Sequence, residues 1–245
     1  MGEDRPLTEA EREAILARCE GLRTTDVNDG MDLIGLQDVG MVAYDIVPLW
    51  KDLETLGHRF YGFAHTVRFL PTNKRIVTSE PEDWARQKGQ WYRNLAQGPI
   101  NDQIRKYDVI VIDGHETGTG FIGSNNAQRW MNNGAVGVVT NGACRDTDEI
   151  IRQGIPVYHR YTRPTVRPSR CELDATLVPV NLGGVMVRAG DLVVADGDGV
   201  VVVPIEQVDA VLTGARKIAN SDRSGRTRLF EEAGKPLDET TEELT

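Results

Sequence analysis

The residues with the most chemistry to offer are Arg145 and Asp146, which follow the run Gly134-Ala135-Val136-Gly137-Val138-Val139-Thr140-Asn141-Gly142-Ala143-Cys144. Taken alone, a guanidinium beside a carboxylate makes a surface ion pair or caps a helix. The surroundings argue for more. Val109 to Ile112 and Val136 to Val139 are apolar, β-prone runs, each followed at once by small and polar residues, with a helix-compatible segment from Asn126 to Asn133 between them. This is strand, loop, helix, strand, loop: a βαβ-like unit that delivers polar loops to one sheet edge, where α/β proteins place ligand sites. The first loop, Gly120 to Asn126, carries Gly123, Ser124, Asn125 and Asn126, and the second carries Arg145 and Asp146. Together they are the expected site. Cys144 adjoins it, but no histidine lies nearby in sequence to activate a thiol, so a half-buried filler is the stronger reading.

The elements that must hold these loops can be read along the chain. Thr8 to Leu22 opens with a capping box, Thr8-Glu9-Ala10-Glu11, and Thr24-Thr25-Asp26 supplies a cap for a second short helix. Met41 to Val47 and Arg59 to Phe69 have strand character. Pro81-Glu82-Asp83 starts a helix whose Trp84, Lys88, Trp91 and Leu95 share one face. That face reads as core packing, with a lid or subunit contact as the rival. Ile155 to Tyr158 is a further short strand, and Thr162 to Arg170 reads as an exposed, stiffened basic connection. Four short runs, 177–180, 185–187, 192–195 and 200–203, separated by glycine-rich turns, suggest a compact antiparallel β-layer. Pro204 starts a helix to about Ala219, Arg226 to Ala233 forms a last one, and the acidic tail from Asp238 to Thr245 reads as disordered.

The 245 residues are enough for a substantial core, and no linker divides them, so a single domain over 1–245 is expected. A net charge of -9 disfavours nonspecific nucleic-acid or membrane binding, which needs a basic face. Three widely spaced cysteines suggest reduced thiols. With no apolar run of membrane-spanning length and no signal-peptide core in Met1 to Ala10, a cytoplasmic location is expected.

Three segments together resemble one known family: Gly62-Phe63-Ala64-His65-Thr66-Val67-Arg68, the run 137–146 ending in Gly142-Ala143-Cys144-Arg145-Asp146, and 190–204. They are similar to the RraA-like family, which includes 4-hydroxy-4-methyl-2-oxoglutarate/4-carboxy-4-hydroxy-2-oxoadipate aldolases. The resemblance implies an α/β/β sandwich like the swivelling phosphohistidine domain, with helical decorations, in homotrimers or hexamers whose sites lie at subunit boundaries. It implies Mg²⁺ or Mn²⁺ at Asp146, a small 2-oxo acid as substrate, and Arg145 on the substrate's carboxylate and oxygen. A hard cation of this kind is satisfied by one protein carboxylate, water and a chelating keto acid. The backbone N–H groups after Gly123, at Ser124, Asn125 and Asn126, would take the substrate carboxylate.

The chain departs from the family's pattern in three places. Ser124 stands where the aldolases carry an acid, Ser224 (with Asp222 nearby) where they carry a glutamate, and Asn141 replaces an aspartate before Gly142. Arg145, Ser124 and Glu116 are therefore the candidate catalytic residues, with Glu116 or His115 taking over acid/base work or serving only as turn formers. Retro-aldol release of pyruvate, or decarboxylation of an oxaloacetate-type compound, through a metal-stabilised enolate is the implied reaction. A hydrolase, dehydratase or isomerase on another oxygen-rich metabolite, and a non-catalytic protein like an RNase E inhibitor, are the alternatives.

Overall fold

Val109-Ile110-Val111-Ile112 has the composition of a strand buried on both faces, and in the computed structural model it lies mid-sheet with every residue buried. The structure describes residues 5–244; Met1 to Asp4 and Thr245, the ends of the leader and tail readings, lie outside the described residues. In chain order the elements are α1 (Glu9–Cys19), α2 (Thr24–Leu33), β1 (Val47–Pro48), β2 (Phe60–Pro71), α3 (Pro81–Trp91), which runs on as a π-helical turn (Tyr92–Ala96), and α4 (Ile100–Gln103). There follow β3 (Asp108–Asp113), β4 (Gly120–Ile122), α5 (Ser124–Asn132), β5 (Ala135–Cys144), α6 (Thr147–Arg152), β6 (Val157–Thr162) and β7 (Cys171–Thr176). The chain ends with β8 (Val180–Leu182), β9 (Val185–Val187), β10 (Leu192–Asp196), β11 (Gly199–Val203), a 3₁₀ turn (Ile205–Gln207) and α7 (Val208–Glu232).

The main sheet runs β1-β6-β5-β3-β2-β10-β11, with β4 beside β5 and β7 beside β2. β2, β3, β5 and β6 are parallel, so their C-terminal ends open onto one edge. Residues 41–48 join the two ends of the sheet: Met41 bridges Val201, Val42 N–H donates to Val200 O at 3.2 Å, and β1 then pairs with β6. The sheet is thereby drawn into a nearly closed, barrel-like form. Along β3 the period-2 alternation sorts the side chains. Val109 and Val111 turn inward with Phe60, Val139, Tyr158 and the β8–β9 hairpin residues Val180 and Leu182. Ile110 and Ile112 turn outward against Trp91 and Trp130. A third apolar layer packs Phe63, Leu192 and Val194 against α1, α2 and α7. Among the described residues no helix is long and apolar enough to cross a membrane.

Several expectations hold. Thr8 and Glu11 form the capping box of α1, with Thr8 N–H donating to Glu11 at 2.8 Å. Trp91 is buried and donates to Cys171 O at 3.1 Å, so the helical face carrying it is core, while Trp84 stays partly exposed.

Others need correction. Of the expected strand Met41 to Val47, only Val47 is strand, as the start of β1; 41–46 is a bridge and a turn that span the barrel seam. The N-cap of α2 is Arg23; of the expected cap residues, Asp26 makes the cap bond from inside the first turn, accepting from Arg23 N at 2.8 Å, while Thr24 belongs to the helix and bonds Asp196. The four late β runs do not form one layer: β10 and β11 extend the main sheet next to β2, and only β8 and β9 make a separate hairpin. In the basic connection, Arg167 is buried, donating to Ala96 O at 2.6 Å and lying over Phe69 and Tyr92. The two expected C-terminal helices are one, since nothing at 220–225 stops α7. The acidic tail is ordered through Leu244: Leu244 N donates to Asn220 at 2.8 Å, Thr241 is buried, and Arg223 donates to Glu242 O at 2.6 Å.

Candidate active site

Parallel strands of unequal length create the site. β5 continues beyond β3, and its last residues pair with β4 on one side and β6 on the other, so Arg145 and Asp146 emerge at the C-terminal edge. The expected first loop, Gly120 to Asn126, is therefore a correction. Gly120 to Ile122 is strand because β5 offers it a free edge, and α5 begins at Ser124 rather than Asn126. The connection that remains irregular is 114–119.

Arg145 Nε donates to Asp146 Oδ1 at 3.0 Å, and both side chains are about one-third exposed. Asp146 Oδ2 accepts from the backbone N–H of Ser124 at 3.3 Å, across from the start of α5. A carboxylate here faces the positive end of a helix and is favoured by it. Asp146 is held in place by its backbone, at φ 55°, while it opens α6. Gly123 lies beneath both residues: a Cβ there would come 2.8 Å from Asp146 Oδ2 and 3.5 Å from Arg145 Cγ. The fold thus assembles Gly123, Ser124, Arg145 and Asp146 into one group. Asn125 is exposed and Asn126 half-buried on the same first turn of α5.

Behind this group lies a buried brace that sequence reasoning did not find as a unit. Asp113, at the end of β3, accepts from Asn141 Nδ2 at 3.0 Å, from His115 N at 2.9 Å and from Asn181 N at 3.2 Å. Asn141 also accepts from Gly114 N at 2.7 Å and donates to Asn181 O at 2.9 Å. Its side chain must therefore donate and accept at once, which an amide can do and a carboxylate cannot. The departure at Asn141 is explained: an aspartate would set two carboxylates against each other in a buried place. The signal in the sequence was the pairing of Asp113 and Asn141 as polar residues ending two apolar strands.

The other candidates are placed differently. Glu116 is exposed and pairs with Arg160 on β6 at 2.7 Å, beside Asp45 at 2.8 Å from the same guanidinium. His115 and Glu116 both have positive φ, 51° and 56°, so the turn-forming role is realised in both. Ser224 and Asp222 lie on α7, with Asp222 at 3.6 Å from Arg23 and not among the Arg145–Asp146 contacts. The Cys144 thiol is pushed up to about 12, chiefly by burial, as suits a packing residue.

Among the described residues no group of three or more His, Cys, Asp or Glu side chains is gathered as a metal cage. The donor set at the site is one carboxylate, two-thirds buried, with a guanidinium beside it. That set fits a hard cation of the Mg²⁺ type, which keeps most of its water and takes one or two carboxylates plus substrate oxygens. It does not fit a metal that needs a full set of protein ligands.

The likeness to solved structures covers the whole architecture. An uncharacterized protein from Pseudomonas syringae pv. tomato superposes with a TM-score of 0.70 at 25% identity, over 97% of this chain and 100% of that one. Streptomyces coelicolor RraAS2, described as an unusual member of the RNase ES inhibitor RraA protein family, shares the fold at a TM-score of 0.71 and 23% identity, over 91% of this chain and 100% of that one. By sequence the chain is 25% identical over 233 residues to the protein DlpA of Legionella pneumophila, covering 94% of this chain but only 33% of DlpA, so it spans about a third of that relative's length. It is 36% identical over 163 residues to an Arabidopsis thaliana protein named "Putative 4-hydroxy-4-methyl-2-oxoglutarate aldolase 2", covering 59% of this chain and 98% of that one. The family described as Aldolase/RraA matches residues 24–202, from the first residue of α2 into β11. With the strand-end Arg-Asp pair, the braced sheet edge and this match all in agreement, the chain belongs to the RraA-like family.

Proposed function

We propose that the protein is a divalent-metal-dependent lyase that cleaves a small 2-oxo acid, releasing pyruvate by retro-aldol cleavage or decarboxylating an oxaloacetate-type compound. The observation that carries this reading is the grouping of Arg145 and Asp146, 3.0 Å apart, over Gly123 and the first N–H of α5. Aldolase names among the relatives, such as the Arabidopsis protein, support it.

Asp146 would hold Mg²⁺ or Mn²⁺, whose Lewis acidity draws electron density from the keto oxygen of the substrate. Arg145 spends its Nε on Asp146, and a guanidinium has four further N–H donors on its terminal nitrogens to grip carboxylate and enolate oxygens. As the 4-hydroxyl loses its proton and C4 becomes a carbonyl, the C3–C4 pair forms C2=C3 and the keto π pair moves onto oxygen, where the guanidinium stabilises the charge; return of that proton to C3 then releases pyruvate. The exposed N–H groups at the start of α5, near Asn125 and Asn126, receive the substrate carboxylate. The 4-hydroxyl proton needs an acceptor. Glu116, on the 114–119 connection, would take it only on leaving its ion pair with Arg160, whereas Ser124 can relay a proton but not keep it. The reading includes a homotrimer or hexamer in which a neighbour completes the pocket.

The test is pyruvate release from 4-hydroxy-4-methyl-2-oxoglutarate by purified protein with Mg²⁺. Asp146→Ala and Arg145→Ala should each lower kcat/KM by at least about a hundredfold, the usual scale for removing one charge-stabilising group. Unchanged activity in Asp146→Ala, or in the presence of a chelator, would show that the cation is not held there.

A further inference from the structure

A second segment crosses the strand end that delivers Arg145 and Asp146. The main sheet places β6, β5 and β3 side by side, so a connection that leaves β3 at Asp113 and reaches Arg160 on β6 must pass the end of β5 between them. Residues 114–119 do this. Glu116 meets Arg160 at 2.7 Å, and the chain then returns to β5, where Ala143 N–H donates to Thr119 O at 3.2 Å. His115 lies on the outward crossing, one residue, or about 3.8 Å of chain, before Glu116.

The backbone of this connection is tied down. Gly114 N donates to Asn141 at 2.7 Å and His115 N to Asp113 at 2.9 Å, Thr117 Oγ1 donates back to Gly114 O at 2.9 Å, and Thr165 Oγ1 donates to Gly118 O at 3.1 Å. Within that frame His115 and Glu116 both take left-handed backbone, at φ 51° and 56°, a region that suits glycine. Non-glycine residues stay there only where the surroundings hold them, and such positions gather at functional sites. Glu116 uses its side chain in the ion pair with Arg160. The His115 ring is exposed and makes no hydrogen bond or ion pair among the described residues.

We infer that His115 is the catalytic base of the retro-aldol cleavage, an assignment that rests on the lyase reading above. An unprotonated imidazole has one lone-pair nitrogen in either tautomer, and an exposed ring can turn that nitrogen toward a bound substrate. It takes the 4-hydroxyl proton as C4 becomes a carbonyl and the C3–C4 pair forms C2=C3. The imidazolium then returns that proton to C3, and the ring ends as it began. Arg145 stays protonated, Asp146 already faces Arg145 Nε and Ser124 N, and Glu116 must first leave Arg160, so none of the three matches it.

The test compares two substrates on the full chain with Mg²⁺. Cleavage of 4-hydroxy-4-methyl-2-oxoglutarate needs a base, whereas decarboxylation of oxaloacetate reaches the same enolate with no hydroxyl proton to remove and takes its C3 proton from water. His115→Gln should lower kcat for cleavage about a hundredfold, the lower end of what a positioned base contributes, and leave decarboxylation within about twofold. His115→Gly, which relieves the left-handed backbone and so keeps the fold, should show the same loss, and free imidazole should restore part of it. Cleavage at the wild-type rate in either variant, or an equal loss of decarboxylation, would overturn the assignment. Wild-type protein that releases pyruvate from neither compound would remove the lyase reading, and the assignment with it.

Discussion

Gly123 shows how much a missing side chain can decide. Asp146 rests its carboxylate over the start of α5 only because nothing projects from Gly123, where a Cβ would sit 2.8 Å from Oδ2. Its φ of -136° is open to any residue, so Gly123→Ala does not strain the backbone but displaces the carboxylate. The expected outcome is a change in stability of under about 1 kcal/mol by urea unfolding, with kcat/KM for pyruvate release lowered about tenfold. Equal activity in Gly123→Ala would mean that the observed seat of Asp146 is not the one that matters in turnover. The pair Arg145 and Asp146 was legible in the sequence as chemistry. What could not be read is that each carboxylate oxygen already has a partner, one on Arg145 and one on Ser124 N, because those distances depend on how α5 meets β5.

Short strands depend on their neighbours, and β4 is the clearest case. Gly120 to Ile122 has too few residues to declare itself a strand, and it becomes one because β5 outruns β3 and leaves a free edge. Gly120 must also let the 163–165 segment pass: its N–H bonds Thr165 Oγ1 at 2.9 Å, and a Cβ would stand 2.2 Å from the Thr165 carbonyl oxygen. Backbone cannot swing aside as a side-chain tip can. Gly120→Ala should therefore cost about 1–3 kcal/mol, the range for overpacking a filled interior, measured as a lower urea midpoint with an unchanged slope. An unaltered midpoint would show that the 163–165 segment is free to give way. The same dependence on neighbours separates the four late β runs: 192–195 and 200–203 look like 177–180 and 185–187 in composition, yet only the first two find partners on β2 and in each other within the main sheet, and the run at 177–180 forms its strand at 180–182.

At the scale of the whole molecule, two buried histidines tie stability to pH. His159 is held below the usual imidazole value by burial. His58 is lowered first by burial and then by the Arg59 and Lys51 charges, and its Nδ1 accepts from Asp52 N at 3.1 Å, which requires an unprotonated nitrogen. Unfolded, both would titrate near ~6.5, so below that the unfolded chain binds protons that the fold resists. A lowered folded value means stability that is full above the unfolded pKa and lost as pH falls. Urea midpoints should decline from pH 7.5 to pH 5.5, and His159→Gln should flatten the decline. A midpoint that rises on acidification would contradict this.

The sequence by itself determined the parallel βαβ unit, the edge to which Arg145 and Asp146 are delivered, the capping box of α1 and the family resemblance, because these rest on periodicity and on residues near one another in the chain. Tertiary structure decided the rest. The closure of the sheet through Met41 and β1, the ordered tail against Asn220 and Arg223, the brace of Asp113, Asn141 and Asn181, and the buried cluster of Arg12, His65 and Asp108 all join residues far apart in sequence. Such contacts are selected by packing and by the need to pair buried polar groups, and neither leaves a local pattern to read.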